Sequence, residues 1–514
     1  MSGVWDALLG LGDQLAQHVI LAACAIGLGI AVALPLAVWA SRSQTVARGA
    51  LGFASLVQTI PALALLALFF PILLSLRAVF GEGLPTLGFL PALLALALYA
   101  LLPILRNAVT AQTNLDPGVI EAADGVGMSF WQRLRLVEAP LAAPYIMAGI
   151  RTAAVWTIGA ATLSTTIGQP SLGDPIFAGL QTQNWSLVLA GCIGSAGLAI
   201  IADALLGTIE AGFRRRDRRL WLGGGIAVAL GVAAAFASQI DLSGDDDNTV
   251  VIGAKQFSEQ YILAQLIGSQ LEEAGYRVEY RDGLGSAVLH NAVTSGEIDI
   301  SIDYTGTLWT NEMKRTDNPG REAMYEAIVE WKRETSDARI LGKLGFENAY
   351  GLAMRGDVAR ARGIESIDDL ARVAPELTIG GDPEWFERPE WVAVRDAYGL
   401  RFGDTRNFSP TFMYNALKSG EADVISAYTS DGRIAAEDLV ILDDPREALP
   451  SYDALIVLSP DAARDDRLTR ALQPLLGAID VEQMREANYA VDRTDAQKKT
   501  PAQAARELAE DIGL

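Results

Sequence analysis

Hydrophobic and polar positions are sorted along this chain into two regimes. Up to about residue 240, long apolar runs alternate with short polar breaks; from Thr249 onward the apolar runs shorten to strand length and alternate with amphipathic stretches. The long runs cover residues 17–40, 51–76, 90–106, 142–166, 185–209 and 220–238. Most approach the roughly 20 residues that a helix needs to cross a bilayer, so they predict six membrane spans. A soluble helical core would place charge along one face of each helix, and these runs carry almost none inside.

The second regime opens with VVIGAKQF, read as a strand, then SEQYILAQLIGSQLEEAG, read as an amphipathic helix, then YRVEYRD, a second strand. The alternation continues to the C-terminus and predicts an α/β fold with a mainly parallel sheet. Between the regimes lies DLSGDDDN, residues 241–248, whose small and acidic residues would not continue an apolar helix. The expected division is therefore a membrane domain at 1–240, a linker at 241–248 and a water-soluble domain at 249–514. Within the last, the segment from Gly275 has a counterpart from Tyr398: each reads strand, turn, helix ending in Ser-Gly-Glu, strand, then a Tyr-Thr turn. Two lobes, split near 350 and 440, would close on one ligand with an aromatic turn of each at the cleft.

Charge separates the halves further. The formal net charge is -21, of which residues 1–248 carry only -3, with no lysine among them. Placing the N-terminus outside puts Arg42, Arg48, Arg106, Arg133, Arg135 and the arginines of 214–219 on the cytoplasmic side and leaves Arg77 alone opposite them. Six spans then return the acidic domain to the outside of a bacterial inner membrane. No cleavable signal peptide is evident, because Asp6 and Asp13 stand where a basic segment would. Cys24 and Cys192 both lie in apolar runs, so the exported half has no disulfide framework. The acidic surface reads as a solubility feature, and it disfavours nucleic-acid binding.

Catalytic signatures are missing from the sequence: there is no phosphate-binding Gly-x4-Gly-Lys loop, and His18 and His290 are the only histidines. The expectation is a transporter rather than an enzyme, with no metal and no cofactor held by this chain. Arg151 falls in or at the start of the fourth run, where a mid-membrane charge costs roughly 2.5–3.5 kcal/mol. An interfacial place or a salt bridge to Asp203 would relieve that cost.

Residues 116–140 stand between two apolar runs and combine helix formers with Asp116, Glu121, Asp124, Gln132, Arg133 and Arg135, interrupted by Gly125 and Gly127. Two short helices joined by a bend fit this pattern, an element able to pass rigid-body motion to a partner. Glu121, Ala122, Ala123, Gly127 and Pro140 at their spacing resemble the coupling loop of ABC-transporter permeases. Gln58, Ile60, Pro61, Tyr99, Pro103, Arg106, Asn107 and the stretch from Gly149 are similar to permeases of osmoprotectant importers. The resemblance implies a cytoplasmic ABC ATPase partner that uses ATP, and a permease homodimer in the lipid bilayer.

AKQFSEQ (from Ala254), DYTGT (from Asp303) and AYTSDGR (from Ala427) resemble extracytoplasmic binding proteins for glycine betaine, choline and carnitine, so the chain looks like a fusion of permease and a two-lobed periplasmic-binding-protein (type II) domain. A quaternary ammonium donates no hydrogen bond and is held by ring faces, each contributing roughly 0.5–2 kcal/mol. By family position, Tyr304 and Tyr428 are the leading cage residues, followed by Tyr414, Trp309 and Phe386. A ligand carboxylate would need donors, for which Ser258, Gln260, Ser286, Thr305 and Arg388 are candidates. An importer of an amino acid or of another zwitterion such as ergothioneine is the nearest alternative, and a membrane-anchored solute sensor the remoter one.

Overall fold

Apolar runs of the first half become helices, though not always singly. In the computed structural model, which describes residues 2–81, 84–181, 184–239, 248–408, 410–493 and 495–514, the chain divides near residue 245 into two compact units. Residues 241–247 of the expected linker lie outside the described residues. The first half of the chain comprises α1 (Ser2–Leu9), α2 (Gly12–Ala40), α3 (Gln44–Thr59), α4 (Ala62–Phe80), α5 (Phe89–Thr113), α6 (Pro117–Gly125), α7 (Phe130–Arg133), α8 (Ala139–Ala161), α9 (Asp174–Gln181), α10 (Trp185–Arg215) and α11 (Arg218–Ser238). Five of its helices are long and apolar enough to cross a membrane, or six if one bent pair counts as a span, among the described residues.

That pair corrects the expected run 51–76. Instead of one helix it forms α3 and α4, bent by 104°. Pro61 is the cause: the residue before a proline is driven out of the helical region, and Ile60 is extended at φ -75°, ψ 126°. A second correction concerns the coupling loop. Only its first helix, α6, is short; the other begins at Phe130 and runs through a π-helical turn, Leu134–Glu138, into α8, forming one continuous element Phe130–Ile167. The π-turn lies just ahead of Pro140, which has no N–H to give to the preceding turn.

Two motifs of the first half have local explanations. Pro103 inside α5 cannot donate to the carbonyl of Tyr99, and the side-chain amide of Gln58 donates to that carbonyl instead, at 3.1 Å. On α8, Gly149 lies so near α5 that a Cβ would stand 2.7 Å from the Pro103 carbonyl and 2.8 Å from the Asn107 side chain. Gly149 therefore fixes the depth at which α8 packs on α5.

The second unit holds two five-stranded sheets. Strands β1 (Thr249–Lys255), β2 (Arg277–Leu284), β3 (Ile300–Tyr304), β4 (Arg339–Glu347) and β10 (Asp453–Leu458) form the first, in the order β2-β1-β3-β10-β4. Strands β5 (Tyr350–Arg355), β6 (Thr378–Gly381), β7 (Asp404–Asn407), β8 (Val424–Tyr428) and β9 (Leu439–Ile441) form the second, in the order β7-β6-β8-β5-β9. The sheets are mixed rather than mainly parallel: β10 runs antiparallel to β3 and β4, and β5 antiparallel to β8 and β9. The reason lies in connectivity. Strand β10 returns from the other lobe and β5 leaves for it, so neither follows a helical crossover within its own sheet.

The two similar segments fold alike. In the first lobe β2, α13 (Ser286–Ser295) and β3 follow one another after α12 (Ser258–Glu273); in the second, β7, the helix Pro410–Ser419 and β8 do so. Tyr304 and Tyr428 consequently end equivalent strands, β3 and β8.

Beneath the first lobe's sheet, Lys332 is 2% exposed and its ammonium donates to the Thr294 hydroxyl at 2.8 Å. Burial pushes its pKa down from 10.5 to about 8, against the opposing pull of Asp303 and Glu312. Between those two values the unfolded chain binds the proton more tightly, so stability rises with pH there and is diminished below pH 8. Lys332→Met, which keeps the aliphatic length, is expected to raise the unfolding temperature at pH 7 by stabilising the fold on the order of 1–3 kcal/mol, and to abolish Lys332's share of the pH slope. Scanning calorimetry across pH 7–11 checks this; a lower midpoint at pH 7 would show that the buried ammonium is net stabilising.

Candidate functional site

Between the two lobes of the second unit lies a cavity of about 450 Å³. Its position follows from the strand ends: β1 and β3 deliver Lys255 and Tyr304 to its wall, β5 and β8 deliver Tyr350 and Tyr428, and the first turn of α12 adds Ser258 and Glu259. Phe257, Tyr414 and Tyr452 complete an unusually aromatic lining. Tyr350 is the centre of the ring cluster, 4.8 Å from Trp385, 5.1 Å from Tyr428 and, edge-on, 5.5 Å from Tyr452.

Polar groups hold these rings in place. The Tyr304 hydroxyl donates to Glu259 at 2.6 Å and accepts from Gln260 at 2.9 Å. Glu259, 2% exposed, also accepts from Ser430 at 2.5 Å and from the side-chain amides of Asn348 and Asn488, each at 3.1 Å. It thereby joins the first lobe to Asn348 between β4 and β5, to the 429–432 turn of the second lobe and to Asn488 on the helix Val481–Asp492. Burial raises its pKa, with those four donors pulling the other way. Burial likewise holds the Tyr304, Tyr414 and Tyr452 phenols well above their usual range, so all three remain neutral rings near pH 7.

Cations in the lining are each met by a carboxylate. Lys255 pairs with Asp303 at 2.5 Å, Arg433 with Asp431 at 2.6 Å and Arg388 with Glu390 at 3.1 Å. Arg433 also stacks 3.7 Å from the Tyr414 ring centre, and Arg388 donates to the Tyr452 hydroxyl at 2.9 Å. Burial pushes the Asp492 carboxyl up to about 6, against the nearby Arg433 charge; Asp492 accepts from the Ser258 hydroxyl at 2.5 Å.

Of the residues singled out in the sequence, Tyr304, Tyr428, Tyr414, Ser258, Ser286 and Arg388 line the cavity. Four others do not. Thr305 is turned to the return strand, donating to the Ser451 carbonyl and accepting from the Asp453 N–H, both at 2.9 Å. Gln260 braces the Tyr304 hydroxyl and accepts from the Lys255 N–H. Trp309 is buried in a π-helical turn and donates to the Asp317 carbonyl at 2.7 Å. Phe386 packs edge-on against Trp391, outside the cavity. Sequence reasoning missed Tyr350, Tyr452, Asn348, Asn488 and Asp492. Tyr350 and Tyr452 stand where the chain passes between lobes, and their only sequence signal is an aromatic at each end of the segment between the two lobe boundaries.

In the first half of the chain, Glu121, Ala122 and Ala123 lie on α6, whose N-cap Asp116 accepts from the Gly118 N–H at 2.8 Å. Gly127 follows with φ +76°, a conformation that other residues adopt only under strain. Arg133 ties the bend together, 2.5 Å from Asp124 and 2.8 Å from Glu138. Val126, Trp131 and Leu136 are exposed around it.

Comparison with known families agrees with both halves. Residues 248–511 match the substrate binding domain of ABC-type glycine betaine transport system, and residues 25–215 match the binding-protein-dependent transport system inner membrane component. The chain is 30% identical over 472 residues to the ergothioneine transport permease/ergothioneine binding protein EgtU of Helicobacter pylori, covering 89% of this chain and 82% of that protein. Its permease half is 41% identical over 194 residues to the glycine betaine/carnitine/choline transport system permease protein OpuCB of Bacillus subtilis, which covers 38% of this chain and 84% of the relative. Its second half is 29% identical over 273 residues to the carnitine transport binding protein OpuCC of Listeria monocytogenes, 52% of this chain and 88% of the relative. The chain belongs to the glycine betaine-type ABC importers, as a multi-pass permease and its substrate-binding protein fused in one polypeptide.

Proposed function

We propose that this importer carries a small solute with a trimethylammonium head, such as glycine betaine, choline or carnitine, and that the head is held in the ring cluster around Tyr350. The observation that supports this is the cluster itself: Tyr350, Trp385 and Tyr428 meet at about 5 Å, and the hydroxyls of Tyr304 and Tyr452 in the same lining are already engaged by Glu259, Gln260 and Arg388, so that ring faces rather than fresh donors meet the ligand. Ergothioneine is the second reading. It carries the same head on a larger body, and the similarity to EgtU runs along most of the chain.

In this reading the N-terminus and the binding domain face outward and the arginine-rich breaks face the cytoplasm. Two copies of the chain form the permease, α6 and α7 dock on a separate ATPase that hydrolyses ATP, and the chain itself holds no cofactor. Solute closes the lobes, the closed domain meets the permease, and ATP binding by the partner moves the coupling bend and opens the path inward.

Calorimetric titration of the binding half, residues 248–514, with glycine betaine, choline, carnitine, ergothioneine and a few ordinary amino acids tests the assignment. Tight binding confined to trimethylammonium compounds is the expected result. Binding of an amino acid alone would overturn the solute class while leaving the importer architecture in place.

A further inference from the structure

Among the described residues four carboxylates line the cavity, and they are not employed alike. Asp431 is taken up by Arg433, which donates to it through Nε at 2.9 Å and Nη2 at 2.6 Å. Glu259 is saturated, since its two oxygens receive Tyr304, Ser430, Asn348 and Asn488. Asp382 is turned to the start of the helix Pro383–Glu387, where it accepts from the Trp385 N–H at 2.9 Å. Asp492 differs. Its Oδ1 accepts from the neutral Ser258 hydroxyl at 2.5 Å, whereas its Oδ2 accepts from no donor among the described residues and keeps open surface.

The neighbouring cation does not neutralise it. The charge of Arg433 acts on both Asp431 and Asp492, one guanidinium to two carboxylates, so these three groups leave the lining a surplus of one negative charge. Arg433 also covers a face of Tyr414 at 3.7 Å, which leaves that ring less able to serve a solute cation. Lys255 and Arg388 are instead balanced by carboxylates of their own, Asp303 and Glu390. Lys498, outside the lining, gives its ammonium to the Val491 and Arg493 carbonyls.

The place of Asp492 costs stability. It is the last residue of the helix Val481–Asp492, at the negative end of the helix dipole, and is only 9% exposed. Burial raises its carboxyl to about 6, with Arg433 and the Ser258 hydroxyl pulling the other way and Asp431 adding to the rise. Asparagine could take the same hydrogen bond without these costs, so the charge is there for something other than folding.

We propose that Asp492 selects for the positive charge of the solute, its open carboxylate attracting the trimethylammonium head while the rings receive its shape. The inference rests on the trimethylammonium reading proposed above. Such a head has no N–H to donate, so the carboxylate acts on it by Coulomb attraction, which is strong where water is excluded. An uncharged group of the same shape gains nothing from it.

The test is calorimetric titration of the full chain in maltoside micelles with choline, with glycine betaine and with the uncharged alcohol in which carbon replaces the ammonium nitrogen of choline. Asp492→Asn should weaken choline by about tenfold or more and change the uncharged alcohol by less than about twofold. Choline has no group that titrates near neutrality, so its affinity reports the protein. In the parent it should fall roughly three- to tenfold from about pH 7 to about pH 5, as Asp492 takes up its proton. The groups facing Asp492 are Arg433, Asp431 and Tyr414 of the second lobe, Lys498, and Glu259 beside Ser258; most of the fall should vanish in Asp492→Asn, any remainder belonging to these. The unfolding midpoint of the variant at neutral pH should equal or exceed the parent's.

A choline-to-alcohol affinity ratio left unchanged by Asp492→Asn would overturn the proposal, and a lowered midpoint with that unchanged ratio would make Asp492 a structural tie to Ser258. Should the variant not fold, a parent affinity for choline that is flat across the same pH range overturns it instead. Tight trimethylammonium binding with an unchanged ratio removes the role of Asp492 alone, whereas a parent that binds neither choline nor glycine betaine removes the solute class and this inference with it.

Discussion

Tyr350→Ala is expected to weaken trimethylammonium binding by roughly 30- to 1,000-fold. The substitution takes away one ring face, at about 0.5–2 kcal/mol. It also removes the packing partner that sets Trp385, Tyr428 and Tyr452 at 4.8, 5.1 and 5.5 Å, with ring pairs contributing about 0.5–1.5 kcal/mol each. Pair energy is present in the unliganded protein too, so only part of it reaches the affinity; a loss of about 2–4 kcal/mol in binding corresponds to that range at about 1.4 kcal/mol per tenfold. Tyr350→Phe retains the face and should lose much less. Phe386→Ala, outside the cavity, should bind within about threefold of the parent, since it touches Trp391 rather than the cluster. Calorimetric titration of the three variants, with thermal unfolding to confirm that each is folded, decides the matter. A Tyr350→Ala variant of parental affinity would place the head elsewhere in the cleft.

The second large effect belongs to the coupling bend. Gly127 holds φ at +76°, where a β-branched side chain is a strained outlier, and the turn it makes sets α6 against the continuous helix from Phe130. Gly127→Val should therefore re-aim α6 and lower ATP-driven uptake by about a hundredfold, a loss of some 2.7 kcal/mol in transmitted coupling. Solute binding should stay unchanged, because the binding half is a separate compact unit. Uptake into proteoliposomes containing the ATPase partner, measured beside calorimetry on the same protein, separates the two functions. Uptake within about twofold of the parent would remove the bend from the transmission route.

What the sequence reveals follows the range of the forces involved. Apolar length is a local property, so most of the long apolar helices could be read directly. Pro61 was visible too, yet its effect depends on how the chain continues on each side, and the run 51–76 therefore read as one span where α3 and α4 form two helices. The strand ends Tyr304 and Tyr428 were legible because similar segments carry them to equivalent places. Tyr350 and Tyr452 were not, since they are brought together only when the chain crosses between lobes twice, and nothing near either residue encodes that meeting. Trp309 shows the opposite error: an aromatic close to a Tyr-Thr turn resembles a cage residue until the π-helical turn carries it into the core. The pairing of Arg151 with Asp203 joins residues 52 apart in sequence, and spacing alone could only allow it.

The place of β10 bears on how the binding half is made. This strand lies inside the first sheet, between β3 and β4, yet it is the last strand among the described residues. The second lobe has all of its strands once Ile441 has emerged, whereas the first must wait for Asp453–Leu458. During synthesis the unfinished first lobe thus offers the open edges of β3 and β4 until its missing strand arrives, a window in which proteases and edge-to-edge association compete with folding. The first lobe is thus finished after the second, so the cleft cannot bind solute before Leu458 has emerged.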